Sequence, residues 1–188
     1  SGWLTAAFVF VMFAAASWTS ARRIVPNRSG LFAGMPIAAG TIPVLALVLG
    51  SGTVPATGIA VVPIAGIVIG GAMTATSLAG RRALDELATR HGEYEAALSL
   101  GLTDRDAALE ICRRAAALAL VPALDQTRTV GLVTLPGAFV GVLLGSGNPI
   151  QAGAAQLLVL LGLLAAETIA VLITTELVAR GHIASRRA

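Results

Sequence analysis

The sequence predicts an all-α membrane protein, and three observations carry that expectation. Of 188 residues, 56% are hydrophobic and only 12% are charged, about half the charge of a soluble domain. Uncharged stretches long enough to span a bilayer as helices alternate with short connectors dense in Arg. All 13 basic residues are Arg, and they fall in three places: Arg22, Arg23 and Arg28; the segment from Arg81 to Arg128; and Arg180, Arg186 and Arg187. Those three places can share one side of a membrane, as the positive-inside rule requires. The formal charge of +3 and the pI near 10.4 then follow from topology, and no nucleic-acid partner is expected.

Residues 1–79 read as three spans. The first runs from about Gly2 to Ala21, with Trp3 and Trp18 near its ends, where amphipathic rings favour the headgroup boundary. The opening lacks an initiator Met and a basic leader, so it reads as a span entered midway, with segments expected upstream. Pro26, Asn27 and Gly30 signal a turn, and the second span, from about Leu31 to Gly50, carries Pro36 and Pro43, which remove backbone donors and favour kinks. After the uncharged connector Ser51 to Ala56, the third span covers about Thr57 to Ala79. Its Gly66, Gly70 and Ala72 lie close to small-xxx-small spacing, which lets helices approach closely in lipid.

Residues 80–128 form the long polar stretch, with seven Arg and eight acids. Leu84, Leu87, Ala88, Tyr94 and Leu98 recur at helical spacing. Gly101 supplies a helix stop, and Thr103 with Asp106 forms a capping-box-like start. Two amphipathic helices around a turn are expected here, on the cytoplasmic side. Residues 129–179 read as two more spans: about Val130 to Gly145, interrupted by Leu135, Pro136 and Gly137, and about Ala152 to Ala179, long enough to tilt or to outrun the bilayer. The connector SGNPIQ between them is uncharged, and residues 180–188 form a basic cytoplasmic tail. About five spans with an external N-terminus satisfy every connector at once.

In the polar stretch, EYEAALSLGLTDRDAALEICRR sets Ala97 four residues before Gly101, with Ile111 ten residues beyond. That spacing resembles the EAA loop of bacterial ABC permeases. Three strings together resemble the FetB-type iron-export permeases, a family of ABC permeases: VVPIAGIVIGGAM at Val61 to Met73, EAALSLGLTDRDA at Glu95 to Ala107, and ALVPALDQTRTVGLVTLPGAFVGVLLGSGNPIQAGAAQ at Ala119 to Gln156. Arg113 and Arg114 depart from the importer pattern of the EAA loop, and Ala138, Phe139 and Ala155 depart from the pattern of the iron-export family.

The resemblance implies about seven spans in the intact family member, two of them upstream of this chain. It also implies a multi-pass place in the cell inner (plasma) membrane and export as the direction of transport. A second permease copy is expected, with a separate ABC ATPase that binds ATP and Mg. The chain itself is expected to bind no cofactor and has no G-x-x-x-x-G-K-[ST] phosphate loop. Glu95, Ala96, Ala97, Gly101, Asp104 and Arg105 would dock on that ATPase: small residues seat a short helix in a cleft, and Gly allows the sharp turn.

For the substrate pathway, Glu167, Gln156, Met73 and Pro136 are the candidates; the metal, if any, is left open. Glu167 lies deep in the last span without an Arg in that span, and a lone intramembrane acid is a functional candidate because burying it unpaired is costly. Glu176 lies near the cytoplasmic end, at helical spacing from Arg180, and reads as structural. Asn148 would add an oxygen near the outer mouth. Met12, Met35, Met73, His91 and His182 are scattered, so soft metal ligands are sparse, and the lone Cys112 reads as a buried hydrophobe. The alternative is an ion-coupled secondary transporter or channel subunit, in which Glu167 carries ions and the polar stretch only links spans. A membrane enzyme would need converging catalytic groups, and the sequence presents none.

Overall fold

A computed structural model describes residues 2–25, 32–53, 57–129 and 137–184, with the side chains of residues 59, 129 and 138 outside the description. Its helices, in chain order, are α1 (Gly2–Ile24), α2 (Gly34–Gly50), α3 (Gly58–Thr89), α4 (His91–Ser99), α5 (Asp104–Ala117), α6 (Val121–Thr129), α7 (Gly137–Ser146) and α8 (Pro149–Ala179), with a 3-10 turn at Leu118–Leu120 between α5 and α6. The expected all-α membrane architecture is what the chain adopts.

Among the described residues three helices are long and apolar enough to cross a bilayer: Gly2–Ile24, Ala60–Thr89 and Pro149–Ala179. α2 is apolar but only 17 residues long, about 26 Å at 1.5 Å per residue. Of the expected span from Val130 to Gly145, the described part is α7, ten residues from Gly137; residues 130–136, including Pro136, lie outside the described residues. So do Pro26, Asn27, Arg28, Gly30, Arg186 and Arg187.

α3 and α8 form the centre of the bundle, and close approaches set their neighbours' directions. Along α1 and α3, Thr5 meets Gly58, Met12 meets Gly66 and Ile24 meets Gly80, so the two helices run parallel. α2 runs antiparallel to α8, since Gly40 lies on Ala166 and Val44 on Gly162. α3 and α8 are parallel: both begin in one apolar cluster, through Ala60, Ile64, Ala152 and Ala155, and both end in another, through Ala79, Ala83, Leu177 and Val178. Arg22, Arg23, Arg81, Arg82 and Arg180 therefore gather at one end of the bundle. At the other end the uncharged connectors meet, where Gln151 Nε2 donates to the Thr53 carbonyl at 3.3 Å.

Helix packing here depends on Gly positions that differ in part from the expected set. A Cβ on Gly40 would stand 2.3 Å from the Ala166 carbonyl oxygen, and one on Gly71 would stand 2.4 Å from Glu167 Oε1 and from Leu163 Cδ1. Gly66 does face a neighbour, the Met12 side chain, but Gly70 has nothing within 4 Å. The tight α3–α8 contact is made one residue on, at Gly71, because a step of one residue turns a helix face by about 100°.

Bulky apolar groups such as Trp3, Phe8, Phe10, Trp18, Leu157 and Leu161 are exposed on the outside of this bundle. In lipid that is the stable arrangement, since tails solvate them. Trp18 also lies under the Arg22 guanidinium, 5.2 Å from the ring centroid, at the end where the cations collect.

Candidate functional site

The polar stretch begins inside α3. That helix has 32 residues, about 48 Å, against a hydrocarbon core of about 30 Å, so its C-terminal part continues past the apolar layer without a break. The turn into α4 falls at Arg90, whose guanidinium bonds Glu86 Oε1 at 3.3 Å and also pairs with Glu93. The paired carboxylates hold the Arg90 pKa above its usual value, and Arg90 holds that of Glu93 below.

α4 has no buried residue. Glu95 and Ala96 are exposed, Ala97 is half-buried, and His91 Nδ1 lies 3.9 Å from Glu95 Oε1. The helix ends as the sequence indicates. Gly101 adopts φ +90°; its N–H donates to the Leu98 carbonyl at 2.9 Å, and the Leu102 N–H donates to Ala97 at 3.2 Å. This is a Schellman ending, which a residue with a Cβ adopts only under strain. At the tip Leu100 is 83% exposed, a feature that apolar periodicity alone did not single out.

α5 starts with the expected cap: the Asp106 N–H donates to Thr103 Oγ1 at 3.2 Å, and the Thr103 hydroxyl donates to Asp106 Oδ2 at 2.8 Å. Tyr94 Oη donates to Asp104 Oδ1 at 3.2 Å and ties α4 to α5. Burial, with the Asp104 charge beside it, raises the Tyr94 pKa. Beyond the first turn α5 buries Ala107, Ala108, Ile111, Cys112 and Ala116 against the ends of α3 and α8. Burial pushes the Cys112 thiol up to about 11, so it is an inert packing group as expected.

The residue that locks this unit is Glu176. Arg105 Nε donates to Glu176 Oε1 at 2.6 Å and Arg105 Nη2 to Oε2 at 2.9 Å, a bidentate fork across 71 positions of sequence. Arg180 Nε donates to the same Oε1 at 2.6 Å, in keeping with its helical spacing. The Glu176 carboxylate raises the Arg105 pKa. Between α3, α4, the start of α5 and the end of α8 lies a cavity of about 780 Å³, lined by Leu84, Leu87, Tyr94, Arg105, Val178 and His182 among others.

The pathway candidates are not one cluster. Glu167 and Gln156 share a face of α8, eleven residues apart, about 16 Å along the axis. Met73 lies two turns from Gly66, which meets Met12, and so shares the face of α3 toward α1, two residues and about 200° around α3 from Gly71, which faces Glu167. Asn148 is the N-cap of α8, its Oδ1 accepting from Ile150 N at 3.0 Å and Gln151 N at 3.3 Å, so the oxygen expected near the outer mouth is engaged by the backbone. Among the described residues no three His, Cys, Asp or Glu gather as a metal site.

A bundle of apolar helices with a polar hairpin at its Arg-rich end defines an all-α membrane protein. Residues 1–183 match the Uncharacterised protein family (UPF0014), and the chain belongs to that family. It is 36% identical over 179 residues to Protein ALUMINUM SENSITIVE 3 of Arabidopsis thaliana, covering 94% of this chain and 65% of that protein. Similar matches join it to UPF0014 membrane protein STAR2 of Oryza sativa subsp. japonica, at 34% identity over 94% of this chain and 62% of the relative. A further match is to "Probable iron export permease protein FetB" of Escherichia coli (strain K12), at 30% over 95% and 69%. The chain thus spans less than two thirds of the length of the two plant relatives. No solved structure matches it.

Proposed function

We propose that this chain is the membrane permease part of an ABC transporter, in the inner (plasma) membrane, whose α4–α5 hairpin receives the stroke of a separate ATPase subunit. The observation that supports this reading is the combination of an outward element and an inward tie. α4 buries no residue fully and Leu100 at the tip is exposed, while α5 is packed into the bundle and forked by Arg105 to the end of α8. A force on the tip is passed to α3 and α8 together, because the hairpin and the two helix ends form one packed unit.

In this reading the Arg-rich end is cytoplasmic, ATP and Mg are bound by the ATPase, and two permease copies face two ATPase sites. Glu95, Ala96, Ala97 and Gly101 form the docking face; Asp104 and Arg105 hold that face to the bundle. The name of the Escherichia coli relative makes metal export the first transport activity to assay. Reconstitution of the full-length permease with its ATPase in proteoliposomes tests the reading: solute movement is expected to require ATP hydrolysis. Movement driven by an ion gradient with no nucleotide present would instead establish the secondary-transporter alternative.

A further inference from the structure

Among the described residues Glu167 is the only buried acid, 6% exposed, and it lies halfway along α8. No hydrogen bond or ion pair from the described residues reaches it. Its carboxylate lies against Gly71 of α3, where a Cβ would stand 2.4 Å from Oε1. Gly71 thus leaves the space that the carboxylate fills.

α2 brings a second oxygen to the same layer. Its buried stripe is Ile37, Thr41, Val44 and Val48. Ile37 packs in a cluster with Ala72 and Ala170, and Val44 in a cluster with Val68 and Ala166. Thr41 falls between them, level with Gly71 and Glu167. It is 3% exposed, and its Oγ1 has no hydrogen-bond partner.

Of the three further buried oxygens without partners among the described residues, Ser17 Oγ lies on α1, while Gln156 Oε1 and Thr76 Oγ1 lie respectively toward the uncharged end on the Glu167 face of α8 and one turn beyond Ala72 on α3. Buried hydroxyls and amides are nearly always bonded, and a carboxylate at membrane depth with no counter-charge is costly. Unpartnered oxygens near the level of such a carboxylate, and above and below it, have the chemistry to serve a cation. Every donor is oxygen, while Cys112, His91 and His182 lie at the Arg-rich end and Met73 faces α1.

We propose that Glu167 and Thr41, at the junction of α2, α3 and α8, form a binding site for a hard, oxygen-coordinated cation, with Gln156 and Thr76 as oxygens on its way in and out. Carboxylate and hydroxyl donors without nitrogen or sulfur select ions of the magnesium, calcium or manganese type. This deepens the permease reading and rests on it, for it names the solute class that the spans handle.

The test uses the full-length permease in lipid nanodiscs without any ATPase, titrated with manganese(II) and read by the electron paramagnetic resonance signal of the free ion. Saturable binding is expected. Glu167→Gln, isosteric and uncharged, should weaken it about tenfold or more, and Thr41→Val should weaken it as well. Gly71→Ala should do the same with the carboxylate still present, because its methyl competes for the space of Oε1. Glu110→Gln, an exposed acid on α5, should bind as wild type does, and thermal unfolding checks that each variant is folded. No saturable binding by the wild type, or equal binding by folded Glu167→Gln, would overturn the site. With no ATPase in the assay, either failure leaves the coupling reading standing; that reading fails separately, if nucleotide does not drive transport.

Discussion

Arg105 at the start of α5 grips both carboxylate oxygens of Glu176 near the end of α8, at 2.6 and 2.9 Å. Each partner has a second contact, Arg105 with Asp106 at 2.9 Å and Glu176 with Arg180 at 2.6 Å, so the fork is part of a four-residue network. The side chains are 44% and 30% exposed, and a water-accessible ion pair contributes about 1 kcal/mol or less to folding. Its importance is directional: it fixes where the hairpin stands relative to α8. Arg105→Glu and Glu176→Arg should each leave unfolding temperature nearly unchanged while lowering ATP-driven transport several-fold, and the double exchange should recover part of the loss. Transport unaltered in both single variants would show that the hairpin is held by apolar packing alone.

Gly101 is required by its backbone and not by its surroundings: its φ is +90°, yet a Cβ added there would meet nothing within 4 Å. Gly101→Val should cost about 1–2 kcal/mol of local strain and redirect the tip, so ATPase stimulation should fall while the spans stay folded. Ala97→Trp, at a half-buried position on α4, should have the same signature through bulk. Wild-type transport by both variants would make the hairpin an ordinary solvated connector.

The glycines of the spans separate into those that make contact and those that do not. Gly40→Ala puts a methyl on the Ala166 carbonyl, which is backbone and cannot swing aside, and should destabilise by about 1–3 kcal/mol. Gly70→Ala meets open space and should be neutral or stabilising by up to about 1 kcal/mol, from helix propensity. Thermal unfolding in detergent ranks the two. The reverse order would contradict the close α2–α8 crossing.

What the sequence made legible was local. Gly101, Thr103 and Asp106 announced their turn and cap because those devices need only neighbours in the chain, and apolar length announced α1, α3 and α8. The partner of Arg105 was not legible: Glu176 had an adequate local explanation in Arg180, and only the fold brings the two helix ends together. Gly70 and Gly71 could not be told apart, since a one-residue error in the facing side is invisible to small-residue spacing. Asn148 looked like a free oxygen near a span mouth, although Asn before Pro149 is equally an N-cap signal. Thr41 drew no notice because a single hydroxyl in an apolar run gains meaning only from what lies level with it.

Sidedness has its own test. Thr53 and Ser146 lie at the uncharged end, so single Cys residues placed there should react with a membrane-impermeant maleimide from outside the cell. The native background is silent: Cys112 is fully buried and its thiol is raised to about 11, leaving little reactive thiolate at neutral pH. Labelling only from the cytoplasmic side would invert the bundle and remove the hairpin from any cytoplasmic ATPase.

The central claim, that the α4–α5 tip is where an ATPase takes hold, is tested most directly by a photoreactive amino acid in place of Leu100, cross-linked in native membranes with the full-length protein. The account predicts a cross-linked partner that carries a G-x-x-x-x-G-K-[ST] phosphate loop, lost when Gly101→Val redirects the tip. A tip that cross-links only to lipid or to its own chain, in membranes where transport is active, would contradict it.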